Sequence, residues 1–103
     1  MVRHIVLFAL SKELSETQKY NLIVQIQQAF HQLPARIEGL QSLQIEHNIN
    51  PQEPFDFALI ATLNSFEDLQ HYANNPEHKA LVQQLIAPHV AQRACVDYLI
   101  APK

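Results

Sequence analysis

Residues 2–10 read "VRHIVLFAL", from Val2 to Leu10. β-Branched and aromatic residues dominate the run, which marks it as a strand. Strand side chains alternate between two faces, and here both sets are apolar. Val2, His4, Val6, Phe8 and Leu10 share one face, while Arg3, Ile5, Leu7 and Ala9 share the other. Both faces must therefore be covered.

Moving outward, Ser15 followed by Gln18 makes a capping box, and Leu22, Ile23, Ile26, Ala29, Phe30 and Leu33 then recur at helical spacing. This predicts a helix that ends near Pro34. Gly39, the sole glycine, precedes "LQSLQIEHNI", in which Leu43, Ile45 and His47 alternate with Ser42, Gln44 and Glu46 as in a half-buried strand. Asn50 to Glu53, with Pro51 and Pro54, forms a loop into a third strand, Phe55 to Leu63, "FDFALIATL". Ser65 with Asp68 caps a second helix carrying Leu69, Tyr72 and Ala73. Asn75-Pro76 restarts that helix, because Asn favours the N-cap and Pro the first helical position. Leu81, Val82, Leu85 and Ile86 form the apolar face of the last segment, which Pro88 ends, and Arg93 to Ile100, "RACVDYLI", is the fourth strand.

The order is β-α-β-β-α-β with its second helix broken. This predicts an α+β, ferredoxin-like chain: a four-stranded antiparallel sheet with both helices on one face. The opposite face, with Ile5, Leu7, Ile60, Val96 and Tyr98, then requires a cover, for which a second copy of the chain is the expected answer.

The chain has 103 residues, read as a single domain over residues 1–103, and 48% of them are hydrophobic, enough for a core without a metal or disulfide staple. Seven Lys and Arg against ten Asp and Glu, with no basic run, exclude an electrostatic footprint for nucleic acid. Cys95 is the only cysteine, so no intrachain disulfide forms; it is expected in the core of a protein from a reducing compartment. The longest apolar run, Ile5 to Leu10, is too short for a signal peptide or a membrane span, which makes the expected location cytoplasmic with no membrane partner. His31, His47, His71 and His89 lack metal-ligand spacing, so no metal is expected. Ser42 and Ser65 lack a nucleophile-elbow context, and one glycine cannot build a phosphate loop.

The opening "VRHIVLFAL", the middle "FDFALIATLNSFEDLQHYANNPEHKAL" and the closing "CVDYLI" together resemble the stress-responsive dimeric α+β barrel family, Dabb. The strand-one His, the Tyr-x3-Pro-x-His segment and the final Asp-Tyr carry the resemblance, which covers nearly the whole chain. It implies a homodimer whose two sheets pair into a barrel with the helices outside. The family includes a plant polyketide cyclase in which a Tyr and a His at the helix junction act on a linear polyketide between sheet and helices. The matching positions here are Tyr72 and His78, and the strand-one His matches His4. Phe57 replaces a further pocket His, and His47 stands where many relatives have Gly.

On this reading Tyr72 and His78 are the candidate catalytic pair. His78, near a helix N-terminus and an apolar wall, is expected to stay neutral and to accept a proton from an acidic carbon. The Tyr72 hydroxyl can donate to the oxygen that gains charge. His4, Phe8, Ile26, Phe30, Leu59, Leu81 and Leu85 are the expected binding residues for a small apolar or carbonyl-bearing ligand. The scheme calls for no cofactor. Two other functions compete: a non-catalytic dimer that binds ligand or supports stress tolerance, and a cofactor-free monooxygenase-like protein. The related haem-degrading branch uses a pocket Trp, which this chain lacks.

Overall fold

The first strand forms where its alternation indicates, as β1 (Val2–Leu10). Helix α1 (Glu16–Phe30) opens on the expected capping box: the Gln18 N–H donates to Ser15 Oγ, and the Ser15 N–H donates to Gln18 Oε1 at 2.8 Å. Pro34 does not end the helical region. It sits in the first turn of a short helix, α2 (Leu33–Arg36), where its missing N–H costs nothing. Gly39 then takes a φ of 85°, and a Cβ there would run into the Asp68 side chain. That turn leads into β2 (Leu40–His47).

The computed structural model describes residues 1–101; residues 102 and 103, the end of the expected 1–103 span, lie outside them. Strand β3 (Phe57–Leu63) starts later than the expected Phe55. The reason is Asp56, whose N–H donates to Phe8 O and whose carboxylate accepts from the Leu10 N–H at 2.6 Å, tying the loop to the end of β1. Helix α3 (Phe66–Asn74) is capped by Ser65, which accepts from the Asp68 N–H. Asn75 closes it and caps α4 (Pro76–Leu81), accepting from the N–H groups of Glu77 and His78. The chain continues through a π-helical turn (Val82–Ile86) and a 3-10 turn (Ala87–His89) that contains Pro88. Strand β4 (Val90–Leu99) begins before the expected Arg93, because Val90 already pairs with Leu10 across a bulge.

The strands form one antiparallel sheet in the order β2-β3-β1-β4, the ferredoxin-like arrangement. Register puts Val6 opposite Leu59 and Phe8 opposite Phe57, so these side chains share a face. They pack with Ile26 and Phe30 of α1, Leu69 and Tyr72 of α3, and Ile86 in one core cluster. His4 belongs to that helix-facing set. On the other face Ile5, Leu7 and Ile60 are half-buried, and Val96 and Tyr98 are 55% and 42% exposed. An apolar sheet face of this kind is open on the isolated chain. Among the described residues no helix is long and apolar enough to cross a membrane.

Candidate functional site

The break between α3 and α4 decides what the second helical layer can enclose. Tyr72 lies in the last turn of α3 and His78 in the first turns of α4, and the Asn75 cap folds one over the other. Their ring centroids are 4.1 Å apart, with the planes tilted by 41°. His4 approaches Tyr72 edge-on at 6.2 Å, and Phe30 meets His78 in the same manner. The three polar residues expected to converge thus line one cavity of about 410 Å³ between β1 and the junction.

Phe8 and Leu59 from the expected wall also line it, together with Val6, Ala73, Val82, Ile86, Ala87, Val90 and Arg93. Ile26, Phe30, Leu81 and Leu85 do not. Ile26 and Phe30 are fully buried in the core beneath the cavity. Leu81 instead lines a groove on the outer surface with Arg36 and Glu77. Val82 and Ile86, the first and last residues of the π turn, line the cavity in their place.

Tyr72 is only 1% exposed. Its hydroxyl and the Nδ1 of His78 are both buried without a hydrogen-bond partner among the described residues. Burial pushes the Tyr72 phenol well above its ordinary pKa of 10.0, so it stays a donor at neutral pH. For His78, burial lowers the pKa from 6.5, the nearby Ala73 backbone opposes the shift, and His4 adds to it. Desolvation therefore keeps the imidazole neutral, as expected from its apolar surroundings.

One partner was not foreseen in its role. Asp97, from β4, faces His4 across the β1–β4 register, and its Oδ1 lies 2.5 Å from His4 Nδ1. A carboxylate in this position orients the ring. Cys95, expected in the core, is exposed on the same strand, which is exposed from Ala91 to Leu99. Its Sγ lies 3.6 Å from His4 Nδ1, and burial together with Asp97 raises the thiol's pKa. The thiol and the carboxylate both approach Nδ1, so the group lacks the two-ended histidine of a nucleophilic triad.

These features define an α+β protein of ferredoxin-like fold with a polar-ended, apolar-walled cavity on its helix side. The chain belongs to the Dabb family: the stress responsive A/B barrel domain matches residues 2–100. No curated protein matches it. A dimeric protein of unknown function and ferredoxin-like fold from Bacteroides fragilis is similar at 33% identity and a TM-score of 0.87, with 96% of this chain and 95% of that one covered. A dimeric ferredoxin-like protein of unknown function from Thermobifida fusca is similar at 27% identity and a TM-score of 0.80, covering 96% and 90%. A hydroxynitrile lyase from Passiflora edulis shares the fold at 20% identity and a TM-score of 0.76, covering 99% and 94%.

Proposed function

We propose that the chain acts as a homodimer and binds a small apolar, carbonyl-bearing ligand in the helix-side cavity, where His78 removes a proton from carbon and Tyr72 stabilises the oxygen that gains charge. The observation that carries this reading is the pair of unpaired, buried polar atoms, Tyr72 Oη and His78 Nδ1, on adjacent rings. Buried polar groups are ordinarily hydrogen-bonded, and leaving one unpaired costs about 1–3 kcal/mol. A ligand with an acidic C–H next to a carbonyl relieves both costs at once. The neutral imidazole takes the proton, the phenol donates to the resulting enolate oxygen, and the apolar walls keep water out. His4, held by Asp97, positions the ligand at the far side of Tyr72. An enolisation or aldol-type closure needs no further group, so the scheme uses no cofactor.

The homodimer reading rests on the open apolar sheet face and on the dimeric state of the proteins from Bacteroides fragilis and Thermobifida fusca. Sheet-to-sheet pairing is expected to bury about 1,200–2,000 Å² in total. A monomer by light scattering at micromolar concentration would overturn it. We further read residues 1–103 as one domain, in a reducing compartment such as the cytoplasm, to which the free Cys95 is suited.

Thermal unfolding in the presence of a panel of carbonyl compounds tests the ligand reading. A bound ligand at a hundredfold excess over its Kd adds about 2.7 kcal/mol, or roughly 10–20 °C for a domain of this size. Tyr72→Phe and His78→Ala should each reduce the ligand's contribution by about 0.5–1.5 kcal/mol. A panel without any shift, or shifts indifferent to both substitutions, would overturn the assignment. Turnover of the bound compound separates a catalyst from a dimer that only binds.

A further inference from the structure

A histidine, a cysteine and an aspartate distant in sequence meet where β1 and β4 pair. His4 stands opposite Asp97 and Val6 opposite Cys95, so His4, Cys95 and Asp97 all project on the helix side of the sheet. Their donor atoms lie within 4.8 Å of one another. We propose that His4 Nδ1, Cys95 Sγ and Asp97 Oδ1 form a binding site for a zinc-like divalent cation, with a fourth position left for water or a ligand oxygen.

The spacing matches what such an ion requires. Zinc sits about 2.3 Å from sulfur and about 2.0–2.2 Å from nitrogen or oxygen in a tetrahedron, which separates sulfur from either light donor by about 3.6 Å. The observed separations are 3.6 Å from Sγ to Nδ1 and 3.8 Å from Sγ to Oδ1. Only the Nδ1–Oδ1 pair, now hydrogen-bonded at 2.5 Å, must open, to about 3.4 Å in the same geometry. Asp97, with a side chain 34% exposed, has room to make that move. The arrangement that disqualifies a nucleophilic triad, two groups converging on one ring nitrogen, is what a metal site needs.

The donor set also selects the ion. A thiolate, an imidazole and a carboxylate suit zinc or cobalt, whereas magnesium and calcium prefer oxygen alone. On binding, Cys95 gives its thiol proton to solvent, and His4 adopts the tautomer with its proton on Nε2, freeing the Nδ1 lone pair. Because His4 also lines the cavity, the ion sits at its edge. Three protein ligands and one open position are the pattern of catalytic rather than structural zinc.

Titration of the whole, reduced protein with cobalt(II) tests the site without a carbonyl ligand, so its outcome is independent of the function proposed above. One cobalt per chain is expected, with the intense visible bands of tetrahedral coordination and a thiolate-to-metal charge-transfer band, all removed by zinc. Cys95→Ser should abolish the charge-transfer band. Asp97→Asn and His4→Ala should weaken binding beyond the about 10–100-fold typical of losing an outer-shell partner. Tyr72→Phe removes none of the three donors and should leave metal affinity unchanged while reducing the carbonyl-ligand shift. Cys95 and Asp97 lie on an exposed strand, so their variants are expected to keep the parent far-ultraviolet spectrum. Absence of the sulfur band in the parent, or its survival in Cys95→Ser, would overturn the proposal.

Discussion

The two crossover helices do different work on the same sheet face. Helix α1 runs unbroken for 15 residues and closes its side of the core with Ile26 and Phe30, both at 0% exposure. The second helical layer has similar apolar spacing but is cut at Asn75 and runs into a π turn, and beneath it lies the cavity with its unpaired hydroxyl and imidazole. Apolar periodicity alone therefore does not produce a filled core. Continuity of the helix does, and the capping chemistry at the break decides where the filling stops.

The strongest way to break this comparison is Phe30→Ala. In a closed core the lost contacts and the residual void should cost about 3–5 kcal/mol, measured by urea unfolding. A loss below about 1 kcal/mol would mean that the α1 side is as loosely filled as the junction. The caps come next: Ser15→Ala and Asn75→Ala should each cost about 1 kcal/mol. They should differ in reach, since only Asn75→Ala should disturb the Tyr72–His78 contact, visible as shifted imidazole resonances of His78. Tyr72→Phe is expected to be neutral or to stabilise by up to about 1 kcal/mol, because it removes a hydroxyl that is buried without a partner. A clear loss of stability would show that the hydroxyl is satisfied in solution.

The smallest effect is pH dependence. Burial lowers the His78 pKa, so the unfolded chain binds a proton more readily than the native one. Stability is then unaffected well above about pH 6.5 and falls as pH drops below it, until the native His78 also protonates. Relative to the parent, His78→Phe should flatten the decline in melting temperature between about pH 7 and pH 5. A steeper decline in the variant would reverse the sign of the assignment.

Much of this was legible in the sequence because the signals are local. Ser15 with Gln18, Ser65 with Asp68 and Asn75 with Pro76 fix helix starts through hydrogen bonds spanning two or three residues. Alternation in β1 fixed which face His4 takes. What escaped depends on contacts distant in sequence or on which part of an apolar face meets the cavity. Cys95 looks like a core residue by composition, yet it lies on β4, which is exposed along nearly its whole length. Asp97 marks the family as part of an Asp-Tyr pair, but its ring partner lies 93 positions away in β1. Leu81, Val82, Leu85 and Ile86 share one apolar face by spacing, which does not say which of them reach the cavity, so Leu81 and Leu85 were expected where Val82 and Ile86 stand.

That last misplacement bears on how such a pocket can be reshaped. Gln83 and Gln84, within the π turn, are exposed and contribute nothing to the core. One residue more or fewer in an α-helix turns everything beyond it by about 100°, but a π bulge takes up the extra residue within its own turn, so excising one of them would leave the flanking segments facing as they do. Only the lining supplied by the turn itself, Val82 and Ile86, would be re-set, while His4 and Leu59 on the sheet stay in place. A change of length at this turn is thus a way to alter part of the cavity lining while the packing on either side is kept.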